Sequence, residues 1–203
     1  IKNRMKMGHK IEGEILFVTH NKKLKADIER SMKSFFPKNE LQSVLRCIKT
    51  VEDIFQDLQN YESYQEKKKL TRNRFKRLFP NDQMDVDLFW EEYRGVLRGY
   101  NLTGDERILP FDTYEDIGRR RGRIPQNQRK EFYEYASSQL EKRLHEGIEY
   151  SPLNGGWDSL DLCRDAFSEL GKGTWERAIQ CLYIDEVQDL TRAELQVLFS
   201  MLN

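Results

Sequence analysis

The chain has 203 residues, enough for one domain with a real core or for a core carrying a sizeable insertion, an arrangement expected ahead of two small independent domains. Lys plus Arg number 34 and Asp plus Glu 34, so the net charge of zero favours neither an acidic nor a basic partner, and a charged share of 33% implies extensive solvated helix surface. Apolar and aromatic residues spread along the whole length exclude long disorder, and the absence of a signal-peptide pattern or of any apolar run near the ~18 residues of a membrane span predicts a soluble intracellular protein, nuclear or cytoplasmic, with no membrane partner.

In chain order, Glu14 to Thr19 is a compact apolar run. It is followed by Asn21-Lys22-Lys23-Leu24 and by Leu24, Ile28, Met32 and Phe35 at helical spacing, which predicts a strand, a sharp turn and a helix. From Ser43 to Lys49, Val44, Arg46 and Ile48 alternate with Leu45 and Cys47, and Thr50 is placed to cap a helix through Leu58, a second strand-to-helix unit. From about Asn60 to Tyr150 β-branched residues thin out and aromatics arrive at helical spacing. The predicted helices there are Arg72–Phe79, Val86–Arg98, Tyr114–Arg121 and Gln126 to about Glu146, separated by Pro and Gly. A turn over Ser151 to Gly156 closes this block, Asp158 caps a further helix, and Gly171-Lys172-Gly173 ends it. The cysteines Cys47, Cys163 and Cys181 are far apart in apolar surroundings without metal spacing, as buried free thiols in a reducing compartment would be.

The last segment carries the chemistry. Cys181-Leu182-Tyr183-Ile184 is a short apolar strand of the kind covered on both faces in a parallel α/β sheet. Asp185 and Glu186 follow at its carboxyl end, where open α/β sheets hold ligands. Thr191 with Glu194 has the spacing of a capping box for the next helix. Nucleoside-triphosphate hydrolysis needs this pair of acids: Asp185 suits a Mg²⁺ ion bound together with substrate phosphates. Glu186 suits the orientation and deprotonation of the attacking water. Gln188, donor and acceptor at once, suits sensing of a terminal phosphate, and Asp189 would complete the relay.

Leu182 to Leu190, with Asp185-Glu186-Val187-Gln188-Asp189, resembles the Walker B box (DExQD) of UvrD/Rep-like superfamily-one helicases. The resemblance implies a metal-holding role for Asp185, a catalytic base in Glu186, and coupling of nucleotide state to domain motion through Gln188 and Asp189. Ile15 to Leu24 is similar to the family's motif Ia, which touches single-stranded DNA or RNA and puts Thr19, His20, Asn21 and Lys22 at the nucleic acid. His20 stands where an aromatic is usual. Trp157 to Leu162 is a weaker echo of the family's aspartate-rich helix start. The implied fold is α/β: a partial RecA-like parallel sheet of the P-loop NTPase class with a large all-helical insertion like subdomain 1B. Residues 1–59 would begin domain 1A, 60–156 would be the insertion, and 157–203 would return to 1A. The implied cofactors are ATP and Mg²⁺, and the partners single-stranded DNA or RNA and the remaining helicase domains of a longer parent chain.

Two basic clusters in the helical block, Lys67 to Arg77 and Arg119 to Arg123, are candidates for nucleic-acid contact, although neighbouring acids such as Glu62 and Glu115 could neutralise them. No GxxxxGKS/T phosphate cradle occurs, and Gly171-Lys172-Gly173-Thr174 lacks its upstream glycine. The cradle is expected before Ile1 and the downstream motifs beyond Asn203, so the 203-residue piece alone is expected to lack turnover. Two other readings stay open: a helicase-like NTPase scaffold or switch in a large repeat-containing protein, and a non-enzymatic helical interaction module.

Overall fold

The structure is a computed structural model, and it describes residues 15–59, 62–65, 69–78, 85–100, 102, 107–117, 122–142, 156–173 and 179–202. It is mixed α/β, mostly helical, with a small parallel sheet of three strands. The chain divides into two compact units: residues 1–59, 165–190 and 194–203 form one, and residues 60–164 with 191–193 form the other.

The sheet unit opens with β1, Ile15–Thr19, whose Ile15, Leu16 and Val18 are buried. Asn21 then caps α1, Lys22–Phe35, its side chain accepting hydrogen bonds from the backbone of Lys23 and Leu24. Helix α2, Lys38–Arg46, packs beside α1, and β2 is only Ile48–Thr50. The expected strand over Ser43–Lys49 is therefore corrected. Leu41, Val44 and Leu45 lie at a helical spacing of three and four, with Val44 fully buried, and this face outweighs the alternation that suggested a strand. Thr50 caps α3, Val51–Asp57, in a complete capping box: its Oγ1 accepts from Asp53 N at 3.1 Å and Asp53 Oδ2 accepts from Thr50 N at 2.9 Å.

Strand β3, Cys181–Ile184, pairs in parallel with β1, Ile15 opposite Cys181 and Val18 opposite Ile184, while β1 pairs on its other side with β2. The order β2-β1-β3 makes β1 central and leaves β3 at an edge among the described residues. The expectation that β3 is covered on both faces is corrected accordingly: Tyr183 is 53% exposed and its strand neighbours are half-buried. A short 3₁₀ turn, Val187–Asp189, follows β3.

In the helical unit the described helices are α4 (Glu62–Gln65), α5 (Arg72–Leu78), α6 (Val86–Glu92), α7 (Phe111–Asp116) and α8 (Gln126–Tyr135). Helices α6 and α8 run on into π-helical turns, Tyr93–Arg98 and Ala136–Glu141, so the expected helix Val86–Arg98 is continuous but changes winding. The helix expected to start at Tyr114 starts at Phe111, after Pro110, whose fixed φ suits a helix entrance, and it stops at Asp116 because Ile117 is extended. Arg119 to Arg121 and His145 lie outside the described residues, as does Trp175 in the other unit.

The core of this unit is aromatic. Phe75, Phe89, Tyr93, Tyr114 and Phe132 are buried with Leu97, Ala136 and Leu140, and Phe89 stacks on Phe132 at 4.8 Å between ring centroids. Trp90, Tyr133 and Tyr135 pack against them, so these aromatics fill the space between helices.

Two further helices connect the units along the chain. Helix α9 is Ser159–Gly171, capped by Asp158, whose Oδ1 accepts from Leu160 N and Asp161 N. Helix α10 is Arg192–Ser200, with Thr191 and Glu194 buried at its start. One boundary between the units falls after Arg164. Among the described residues no helix is long and apolar enough to cross a membrane.

Candidate functional site

Parallel pairing brings the carboxyl ends of β1 and β3 side by side. With Val18 opposite Ile184, the next residues along the two strands are Thr19 and Asp185. The backbone N–H of Asp185 donates to the Val18 carbonyl at 2.9 Å, extending the ladder one residue beyond β3. The turn Thr19–Lys22 and the acids Asp185 and Glu186 therefore leave one edge of one sheet.

Asp185 is half-buried, and its Oδ2 is enclosed with no hydrogen-bond partner among the described residues. A buried, unpaired carboxylate oxygen carries a large desolvation cost unless a cation or donor meets it. Glu186, in contrast, is exposed and sits in the left-handed region, φ 50° and ψ 49°, the only non-glycine with positive φ among the described residues. The chain thus turns from Glu186 onward, and the side chains of the two adjacent acids lie in different environments, one half-buried and one exposed. The turn is closed by Asp189 N donating to the Glu186 carbonyl at 2.9 Å and Leu190 N to the Val187 carbonyl at 3.2 Å. Gln188 and Asp189 are exposed, and Gln188 Nε2 donates to Glu186 Oε2.

On the β1 side the four expected nucleic-acid residues divide. Thr19 is 1% exposed, and its Oγ1 accepts from the backbone N–H of Asn21 at 3.1 Å. Asn21 Oδ1 accepts from Lys23 N at 2.9 Å and Leu24 N at 3.2 Å. Thr19 and Asn21 therefore build the turn and the helix start, and His20 and Lys22 are presented at the surface. Lys22 Nζ lies 3.6 Å from Glu52, and Lys25 Nζ 2.7 Å from Asp53, so α3 supplies acids to the start of α1. Burial raises the Asp53 carboxyl, but the Lys25 ammonium and the Thr50 donors outweigh it and leave the group below the ordinary carboxylate range.

Of the two basic clusters, Lys67, Lys68 and Arg119 to Arg121 lie outside the described residues, and Arg72, Lys76 and Arg123 form ion pairs. Arg72 and Lys76 both pair with Asp87, at 2.8 and 2.9 Å, and hold its carboxyl below the ordinary range, while Arg74 donates to the Lys69 carbonyl at 2.7 Å. Lys69 lies over the Trp157 ring, and Arg123 pairs with Glu91. Asp87 and Glu91 lie far along the sequence from the basic residues they meet.

Sequence reasoning missed a buried ionic centre in that unit. Arg98, fully enclosed at the end of the first π turn, donates Nη1 to Asp158 at 2.7 Å and Nη2 to Asp161 at 2.5 Å, with Glu141 3.6 Å from its Nε. Tyr93 donates its hydroxyl to Glu141 at 2.6 Å. Burial pushes the Asp158 carboxyl up to about 6 although Arg98 opposes the shift. The doublet Asp158 and Asp161 was visible in the sequence, but its partner 60 residues away was not.

Among the described residues no group of three or more His, Cys, Asp or Glu is arranged to hold a metal ion by itself. A cation at Asp185 would need phosphates and waters for its other ligands, which is the habit of Mg²⁺. No family model matches the chain, and no curated protein matches it either.

Proposed function

We propose that this chain is the acid-bearing part of an ATP-hydrolysing motor of the UvrD/Rep-like helicase type, with a RecA-like sheet unit and a 1B-like helical insertion. The observation that carries this reading is the pairing of β1 with β3, which sets the acids Asp185 and Glu186 beside the turn Thr19–Lys22 at the carboxyl edge of a parallel sheet. The sequence Asp185-Glu186-Val187-Gln188-Asp189 and the strand pairing that sets it beside that turn both support the reading.

In this reading Asp185, through its enclosed Oδ2, would hold a nucleotide-bound Mg²⁺, and the ion would supply neutralisation of charge on the phosphates. Glu186 takes the proton of the attacking water as the water oxygen bonds to the terminal phosphorus and the bond to the bridging oxygen breaks, leaving ADP and inorganic phosphate. The proton then passes to solvent, to which Glu186 is open. His20 and Lys22 meet single-stranded DNA or RNA, the histidine by stacking and the lysine by charge, and Thr19 and Asn21 hold the turn that presents them. The phosphate cradle is not in these 203 residues, so the nucleotide is held chiefly by other parts of the motor.

The test is Glu186→Gln in the intact protein. ATP turnover stimulated by single-stranded nucleic acid is expected to fall at least a hundredfold, with nucleotide affinity within a few-fold of the parent, the range lost with a general base. Undiminished turnover sinks the assignment.

A further inference from the structure

Gln188 and Glu186 are two of the exposed polar side chains, with Asp189, of a turn whose backbone is fixed on both sides. Asp185 is bonded to Val18 before the turn, and Asp189 N and Leu190 N close it afterwards. The left-handed backbone of Glu186 swings its carboxylate toward the residue two positions on, and Gln188 Nε2 donates to Oε2. Both groups are open to water and could each be solvated separately, yet they are bonded to one another.

We propose that Gln188 is a positioning residue that restrains Glu186 in the absence of nucleotide. The inference rests on the reading of Glu186 as the base. The amide N–H engages one lone pair of Oε2 and so fixes the orientation of the carboxylate, and Oε1 and the remaining lone pair can meet an attacking water only where that orientation puts them. A terminal phosphate offers the Gln188 amide several anionic oxygens as alternative acceptors. When the amide turns to them, the carboxylate is released toward the water, and detection of the phosphate and release of the base become one event. The turn is short and held at both ends, so the exchange needs only side-chain rotation, and the backbone stays in place.

Two measurements test this. In the nucleotide-free chain the Gln188 side-chain amide proton resonances are expected to move when Glu186 is replaced in Glu186→Ala. No movement overturns the proposal. In the intact protein Gln188→Met, which keeps length and removes the donor, is expected to raise ATP turnover without nucleic acid three- to tenfold at unchanged KM and to shrink the stimulation by single-stranded DNA. A basal rate that stays the same or falls overturns the restraint even if the resonances respond, because Gln188 would then assist the base or stand apart from it. An intact wild-type protein with no nucleic-acid-stimulated turnover sinks the hydrolase reading itself and the restraint with it, whereas the amide resonances report on the bond independently of turnover. A thermal melt of Gln188→Met matching wild type excludes a folding defect as the cause of any change.

Discussion

In the proposed function Glu186 combines a role in chemistry with a backbone that costs stability. A side chain in the left-handed region is disfavoured by about 1–2 kcal/mol relative to right-handed backbone, a penalty glycine does not incur. Glu186→Gly is therefore expected to raise the unfolding free energy by about 1 kcal/mol in urea titrations while abolishing turnover. Loss of stability instead would mean that the carboxylate contributes more through its bond to Gln188 than its backbone loses. At Asp53 the sign is the ordinary one for a carboxylate lowered by its partners. Its contribution is present above the unfolded value and is lost as pH falls through the still lower folded value. Asp53→Ala removes half of the capping box and the ion pair with Lys25, so a loss of about 1 kcal/mol is expected at pH 7 and a smaller one near pH 3. An equal loss at both pH values would remove charge from the explanation.

The π turns of the helical unit gain their meaning from what they carry. Arg98 closes one and Glu141 the other, and Tyr93 and Arg98 both reach Glu141. Burying a guanidinium among three carboxylates is tolerable only while each charge is answered. Arg98→Met is expected to cost about 3–5 kcal/mol in urea denaturation, because Asp158 and Asp161 would face each other unneutralised in the interior. Asp158 has the opposite pH sign from Asp53. Its folded value, about 6, lies above the unfolded one, so between the ordinary carboxylate range and pH 6 the folded state keeps a proton that the unfolded state has lost. Stability attributable to this group falls as pH rises through that window and is level above it. The stability difference between wild type and Asp158→Asn, followed from pH 4 to 7, is expected to decline across the window, and a flat difference would refute the buried-charge account.

At the scale of the molecule, the sheet unit holds the acids and the helical unit holds an aromatic core. Under the proposed function His20 and Lys22, both exposed, are the candidates for contact with single strands. Removing Lys22 as Lys22→Ala in the intact protein is expected to weaken binding of a single-stranded oligonucleotide and to lower the slope of log affinity against log salt by about 0.7, the value for one phosphate contact on a single strand. An unchanged slope would take Lys22 out of the interface. The 203-residue chain alone, lacking a phosphate cradle, is expected to show no nucleic-acid-stimulated ATP turnover, and robust turnover destroyed by Glu186→Gln would overturn that expectation.

The sequence by itself determined what rests on neighbours within a few residues. Strands β1 and β3, the Asp158 cap, the Thr50 helix start and the acid pair after Ile184 all follow from side chains acting on adjacent backbone. Tertiary structure decided what depends on distant partners. It turned Lys38–Arg46 into a helix against the local alternation, because an apolar face at helical spacing had a surface to bury against. It put β3 at the edge, since strand order is a matter of pairing and not of composition. It also joined Arg98 to Asp158 across 60 positions and bent Gln188 back onto Glu186. The reason is the range of the forces that local sequence can register: caps and periodicity act within one or two turns, whereas desolvation and charge pairing are set by whatever the fold brings near.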